Sequence, residues 1–312
     1  MKRFIIHILV FLLLLGGLLG GACFFLPDET ARNTMLGAQV DKLKRLCELP
    51  GERVIIVGGS GCGEGFVTSN LCAALNRPVY NMGLHAGLGL IYQMKAVEPL
   101  VRAGDTVLLI PEYANFDGQS CFGDMELLMM VLDIMPRHKA LLSKEHWMRL
   151  LPVMPKYGAD KLRHLFMPSR KKSVSGYFDE YGDGVYPSTY APTAQLPFPP
   201  VSKLSADAFS PVVIGYIKDF EKSVQAKGGE VLIFPPAFQL SSYERQGSYI
   251  TCIEAELKSA GVPFATSTKR YAADDIYFFD TPYHLNAIGR IFRSALLIDD
   301  LLVNIRQGGN GK

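Results

Sequence analysis

The chain opens on an apolar run, residues 4–26, in which His7 is the one strongly polar interruption. A run of that length crosses the hydrocarbon core of a bilayer as a single helix. Residues 28–51 are mostly polar, with Leu36, Leu43, Leu46 and Leu49 at helical intervals, and predict a juxtamembrane stalk that ends at Pro50 and Gly51. From there the pattern alternates. Short β-branched runs at 53–57, 78–81 and 106–110 predict strands, and longer amphipathic stretches at 65–76 and 89–103 predict the helices between them. Further along, helices are expected at 212–227, 241–260 and 287–302 and strands at 230–234 and 263–265. Strands alternating with helices imply an α/β domain whose parallel sheet is covered on both faces.

The expected organisation is a membrane helix over 1–27, a stalk over 28–51 and one α/β domain over 52–312 carrying an insertion at about 116–211. Within the insertion, helical stretches at 124–135 and 146–166 precede a Gly-, Pro- and Tyr-rich passage, 168–211. Tyr177, Phe178, Tyr181, Tyr186 and Tyr190 make that passage too aromatic for a plain linker, and it reads as a lid over the sheet rim or as a packing insertion.

Lys2 and Arg3 precede the apolar run, so the positive-inside rule keeps the N-terminus cytoplasmic and sends the domain across the membrane behind a signal-anchor. A cleaved signal peptide is the alternative, and Gly20-Gly21-Ala22-Cys23 raises lipidation at Cys23. The 32 basic and 30 acidic side chains are interspersed, which leaves no basic field for nucleic acid. The six cysteines form no Cys-x-x-Cys pair, so neither metal nor another cofactor is implied; a disulfide is permitted outside the cytoplasm, although most of the cysteines read as small core residues.

Two separated segments carry candidate chemistry. Ser60 follows a predicted buried strand in Val57-Gly58-Gly59-Ser60-Gly61, where glycines permit a sharp turn and expose the hydroxyl. Asp280-Thr281-Pro282-Tyr283-His284 lies near the other end. A serine becomes nucleophilic when a histidine takes its proton and a carboxylate fixes that histidine's tautomer, which assigns Ser60 as nucleophile, His284 as base and Asp280 as orienter. The bland reading of the second segment is a loop with an ordinary Asp and a capping Asn286. The rival for the first is a phosphate cradle, but the P-loop Lys-Ser/Thr is missing, and Asn81-Met82-Gly83 stands where a dinucleotide site needs an acidic residue. Gly83 could donate its backbone N–H to an oxyanion beside that of Ser60, and His85 is a rival base without an adjacent carboxylate. Ser60, Gly83 and Glu112 each follow a predicted strand end, so they should meet at one rim of the sheet.

These three islands resemble the SGNH, or GDSL-like, hydrolase and acyltransferase superfamily, and within it the membrane-anchored bacterial branch that acts on the cell envelope. The resemblance spans 52–312 by order of elements, with its specific content in Val57 to Ser60, Asn81 to Gly83 and Asp280 to Asn286. It implies a three-layer α/β/α fold with a flavodoxin-like sheet, a triad of Ser60, His284 and Asp280, and an oxyanion site built from Ser60 and Gly83. It further implies ester hydrolysis or O-acyl transfer on an acylated envelope glycan or glycolipid, with a membrane-bound acyltransferase as a possible partner, or else a non-catalytic accessory protein that keeps the fold. Two departures stand out. Where the family places an asparagine after its third strand, this chain reads Ile110-Pro111-Glu112-Tyr113-Ala114-Asn115, so that Asn115 folds back, Tyr113 takes the role, or the site has fewer donors. Three residues, rather than the more usual two, separate Asp280 from His284.

Overall fold

The computed structural model describes residues 1–26, 29–167, 176–185, 205–262 and 264–309. In chain order its main elements are α1 (Lys2–Phe25), α2 (Ala38–Glu48), β1 (Val54–Gly58), α3 (Thr68–Leu75), β2 (Val79–Asn81), α4 (Leu90–Val97), β3 (Thr106–Ile110), α5 (Met125–Ile134), α6 (Lys144–Leu150) and α7 (Met154–Phe166). After these come α8 (Val212–Ala226), β4 (Glu230–Ile233), β5 (Phe238–Gln239), α9 (Gly247–Ser259), β6 (Ala272–Ala273) and α10 (Ala287–Gly309). They fold into two compact units, Met1–Val40 with Asp124–Ser175, and Asp41–Gly123 with Gly176–Lys312.

The second unit is an α/β structure on a four-stranded parallel sheet in the order β2-β1-β3-β4. Every residue of β1 and β3 is buried, which is why both read as unbroken apolar runs rather than alternating ones. Val54, Ile56, Leu108 and Ile110 share a core with Leu71 of α3 and with Leu297 and Leu301 of α10, while α4 and α8 approach β1 and β4. At the sheet's N-terminal rim Arg53 is fully buried. Its backbone N–H and Nε each reach Asp105 Oδ1 at 3.0 Å, and its remaining donors go to Asp105 Oδ2 and the carbonyls of Leu46 and Leu100.

Several boundaries differ from the sequence pattern. The helix expected over 65–76 is α3, which starts at Thr68, with a one-turn helix, Ser60–Gly63, that the pattern does not announce ahead of it, and the one expected over 241–260 is a short helix, Leu240–Arg245, followed by α9. The strand expected at 263–265 is a single parallel bridge between Ile233 and Phe264, with Pro263 outside the described residues. β5 and β6 pair as a separate two-stranded sheet that the pattern does not announce, being two residues each. The stalk is also shorter than expected, because its latter part belongs to the α/β unit: Leu46 is buried, and so is Lys42, whose amino group reaches the carbonyl oxygens of Asn81 (3.0 Å) and Gly182 (2.7 Å).

The first unit is helical. α1 contains an 18-residue stretch with a mean hydropathy of 2.6 and is long and apolar enough to cross a membrane. Its last turns pack with α5, α6 and α7 around Cys23, Met129, Leu132, Leu150 and Tyr157. The expected 146–166 helix is here two helices, α6 and α7, interrupted where Pro152 falls.

Candidate functional site

The site grows from the end of β1. Gly58 and Gly59 lie so close to β3 and its exit that a Cβ at 58 would stand 2.5 Å from the Ile110 carbonyl oxygen and one at 59 would stand 2.7 Å from Glu112 Oε1. Ser60 then opens the one-turn helix. The Gly61 N–H donates to Glu112 Oε1 at 3.0 Å, and the Ser60 hydroxyl donates to the same oxygen at 3.5 Å. Among the described residues Glu112 is the hydroxyl's hydrogen-bond partner, and no such bond joins Ser60 to His284.

The second segment arrives through β5 and the loop after β6. Thr281 Oγ1 accepts the backbone N–H groups of Tyr283 (3.3 Å) and His284 (3.1 Å), and the Gln239 N–H of β5 ties down the Pro282 carbonyl at 3.0 Å. This threonine-centred turn accommodates the three-residue spacing and closes a 2.8 Å contact between Asp280 Oδ1 and His284 Nδ1. With the carboxylate on Nδ1, the imidazole carries its proton there and leaves Nε2 as the basic atom. The same turn sets Tyr283 against Gly61: a Cβ on Gly61 would meet the Tyr283 Cβ at 3.1 Å. Asp280, His284 and the Ser60 turn are therefore brought into one neighbourhood from positions more than two hundred residues apart.

The electrostatics of the cluster are set by Glu112, which is buried at 6% exposure. Burial pushes its carboxyl above the usual carboxylate range, against the Gly61 N–H, the His284 charge and the Ser60 hydrogen bond, which pull it down. Burial pushes His284 down, but the Asp280 hydrogen bond and charge, helped by Glu112 and Glu64, outweigh it and hold the imidazole above its ordinary value.

The expected oxyanion residues are disposed differently from the sequence reading. The Gly83 N–H already donates to Asn81 Oδ1 at 2.9 Å, and its Cα faces Cys62, where an added Cβ would lie 2.6 Å from the Cys62 Cβ, so Gly83 serves close packing. Asn115 does fold back, but onto backbone: its Oδ1 accepts the Glu112 N–H at 3.2 Å and its Nδ2 donates to the Ala86 carbonyl at 3.5 Å. Tyr113 turns into the interior edge-on to Phe238, with ring centroids 5.1 Å apart, and its hydroxyl has no hydrogen-bond partner among the described residues. His85 caps a short turn by accepting the Gly87 N–H. Among the described residues no disulfide joins any of the six cysteines.

The aromatic passage contributes a brace. Residues 176–185 lie behind the Ser60 turn, with the Tyr177 hydroxyl donating to Glu64 at 2.6 Å, the Gly184 N–H to the Gly63 carbonyl at 2.8 Å, and the Asn81 N–H to the Tyr181 carbonyl at 2.9 Å. Asp183, buried, accepts from the Thr68 N–H and hydroxyl, each at 2.6 Å, and from Asn81 Nδ2 at 2.8 Å. Lys42 closes the assembly with its amino group 3.7 Å from the Phe178 ring centroid. The expected lid over the rim is thus, where described, a support beneath the site; Tyr186 and Tyr190 lie outside the described residues. Of the residues that form the cluster, Glu112 was visible in sequence as a departure at a strand end, whereas Lys42 and Asp183 carried no local signal.

No family model and no curated protein matches the chain.

Proposed function

We propose that this chain is a serine-dependent ester hydrolase or O-acyltransferase of the SGNH type, acting through an acyl-serine intermediate. The observation that carries the reading is the seat of Tyr283 on Gly61, which sets the Asp280–His284 pair beside the turn that bears Ser60. The sheet order β2-β1-β3-β4, with Phe264 bridged to β4 beyond it, supports the flavodoxin-like arrangement implied by the resemblance.

In the proposed first step the Ser60 hydroxyl rotates from Glu112 toward His284 as substrate enters, and Oγ attacks the acyl carbonyl carbon while His284 Nε2 takes the proton. Asp280 holds the Nδ1 proton and stabilises the imidazolium. The carbonyl oxygen becomes an oxyanion beside the Ser60 N–H, which at the first position of its helical turn has no intrahelical acceptor. Glu112, driven toward its neutral acid by burial, donates to that oxyanion in the role that an asparagine fills in the family. Collapse expels the alcohol, which takes its proton from His284. Water or a glycan hydroxyl, deprotonated by His284, then releases the acyl group from Ser60.

The anchor and the positive charge ahead of it support a domain outside the cytoplasmic membrane, and hence an acylated envelope glycan or glycolipid as substrate, with a membrane-bound acyltransferase as a source of acyl groups. A fluorophosphonate probe tests the reading: it should label the wild type and not Ser60→Ala, and an unlabelled, folded wild type would overturn it. That outcome would favour the accessory-protein reading, which the Ser60–Glu112 bond and the occupied Gly83 N–H support.

A further inference from the structure

Helix α7 runs beside α1 in the same direction. Gly158 packs directly on the Leu19 backbone, leaving no room for a Cβ, and three residues on, Lys161 Nζ donates to the Cys23 carbonyl at 2.9 Å while pairing with Asp133 at 2.7 Å. Matched steps of three and four residues fix the parallel sense. The N-terminal end of α7 therefore points back along α1 toward Lys2, and Met154, four residues before Gly158, sits about 6 Å further down that axis. The turn at residues 151–153 that feeds α7 lies at this lower end.

That end is apolar and open. Met148 is 57% exposed and Leu151 is 55% exposed, and Pro152 between the helices is exposed as well. Alongside them α1 presents Leu15 and Leu18 to the outside. Of the charged side chains around it, Arg149 pairs with Glu145 at 2.9 Å and Lys156 with Glu126, while Lys144 stands one helical turn before Met148.

We propose that the α6–α7 turn, through Met148, Leu151 and Pro152, enters the bilayer leaflet that holds the C-terminal half of α1. The occupant of this face is lipid, because the face is continuous with the flank of α1, which has the length and composition of a membrane span. The proposal rests on the reading of α1 as an anchor. It adds a second point of membrane contact, which fixes the helical unit's rotation about α1.

The chain's single tryptophan, Trp147, sits in α6 one residue from Met148 and reports on this directly. Full-length protein is reconstituted into phosphatidylcholine vesicles with or without bromine on the acyl chains, and tryptophan emission is compared. Emission should fall roughly twofold in brominated vesicles, as expected for a ring held at the hydrocarbon boundary, and Met148→Lys with Leu151→Lys should restore most of it. Both positions are exposed, so the variant keeps its core. Equal emission in the two vesicle types, from protein that resists alkaline extraction, overturns the proposal and leaves the anchor standing. Release by alkali overturns the anchor and the proposal with it.

Discussion

Glu112 Oε1 accepts the Gly61 N–H at 3.0 Å, so the residue that departs most from the expected oxyanion block is bonded into the nucleophile turn. A donor role for Glu112 makes a specific prediction. Glu112→Gln keeps a donor of nearly the same shape and should retain turnover of a nitrophenyl ester within about tenfold, whereas Glu112→Ala should lose roughly 10²–10³ in kcat. If both variants fail equally, the carboxyl acts through its charge instead.

The same variant has a signature in pH. An ionised Glu112 is among the influences that raise His284, whereas a neutral one adds no charge to them. With Glu112 as the neutral donor, the acid limb of kcat/KM should lie above the ordinary histidine value, held there by Asp280, and stay in place in Glu112→Gln. A limb that moves to lower pH in Glu112→Gln would show an ionised carboxylate and overturn the donor role.

Asp280→Asn separates orientation from basicity. Asp280 raises His284 through its hydrogen bond and charge, so in this variant the acid limb moves to lower pH, and the plateau falls as well, by about 10²–10⁴, because nothing holds the proton on Nδ1. A full plateau in Asp280→Asn would mean that His284 does not act as base from Nε2.

The parts of this arrangement that could be read from sequence are those with a local physical cause. The runs ending at Val57 and Ile110 are buried on both faces, and a strand in that position has little choice of composition. The Gly-Gly-Ser turn and the Asp280–His284 spacing were visible because each is a short contiguous pattern. Lys42 was not, since it lies in a polar stretch that reads as stalk, and its burial depends on Asn81, Gly83 and Gly182, which are remote in the chain. Gly83 misled for a related reason: a glycine that admits an oxyanion and one that admits Cys62 are identical in sequence, and the Asn81 side chain decides between them.

Lys42 makes that dependence measurable. Its buried amino group donates to three backbone carbonyls, and burial lowers its pKa to about 7. Lys42→Met keeps most of the packing but leaves those carbonyls unsatisfied, each at about 1–3 kcal/mol, and should lower the denaturation midpoint of the purified protein. Because the brace at 176–185 loses one of its ties to the Asn81–Gly83 turn, the Lys42 bridge from the Gly182 carbonyl, proteolysis within that segment should accelerate in parallel. Unchanged stability would show that the carbonyls find other partners.

Asp105 supplies the contrasting case, far from the chemistry. Arg53 is fully buried at the N-terminal rim of the sheet, and Asp105 is its one carboxylate partner among the described residues, bonded to both its backbone and its guanidinium. Asp105→Ala strands that cation in the interior and should destabilise the α/β unit by about 3–5 kcal/mol, read as a loss of the denaturation midpoint. Replacing both partners together, Arg53→Met with Asp105→Ala, should recover much of the loss, because no buried charge then lacks a partner. Nucleophile labelling should survive in the double variant under native conditions, since β1 and β3 still deliver Ser60 and Glu112 to the other rim. A double variant no more stable than Asp105→Ala would show that the Arg53 bonds to the Leu46 and Leu100 carbonyls, rather than the relief of an unpaired charge, hold this end of the sheet together.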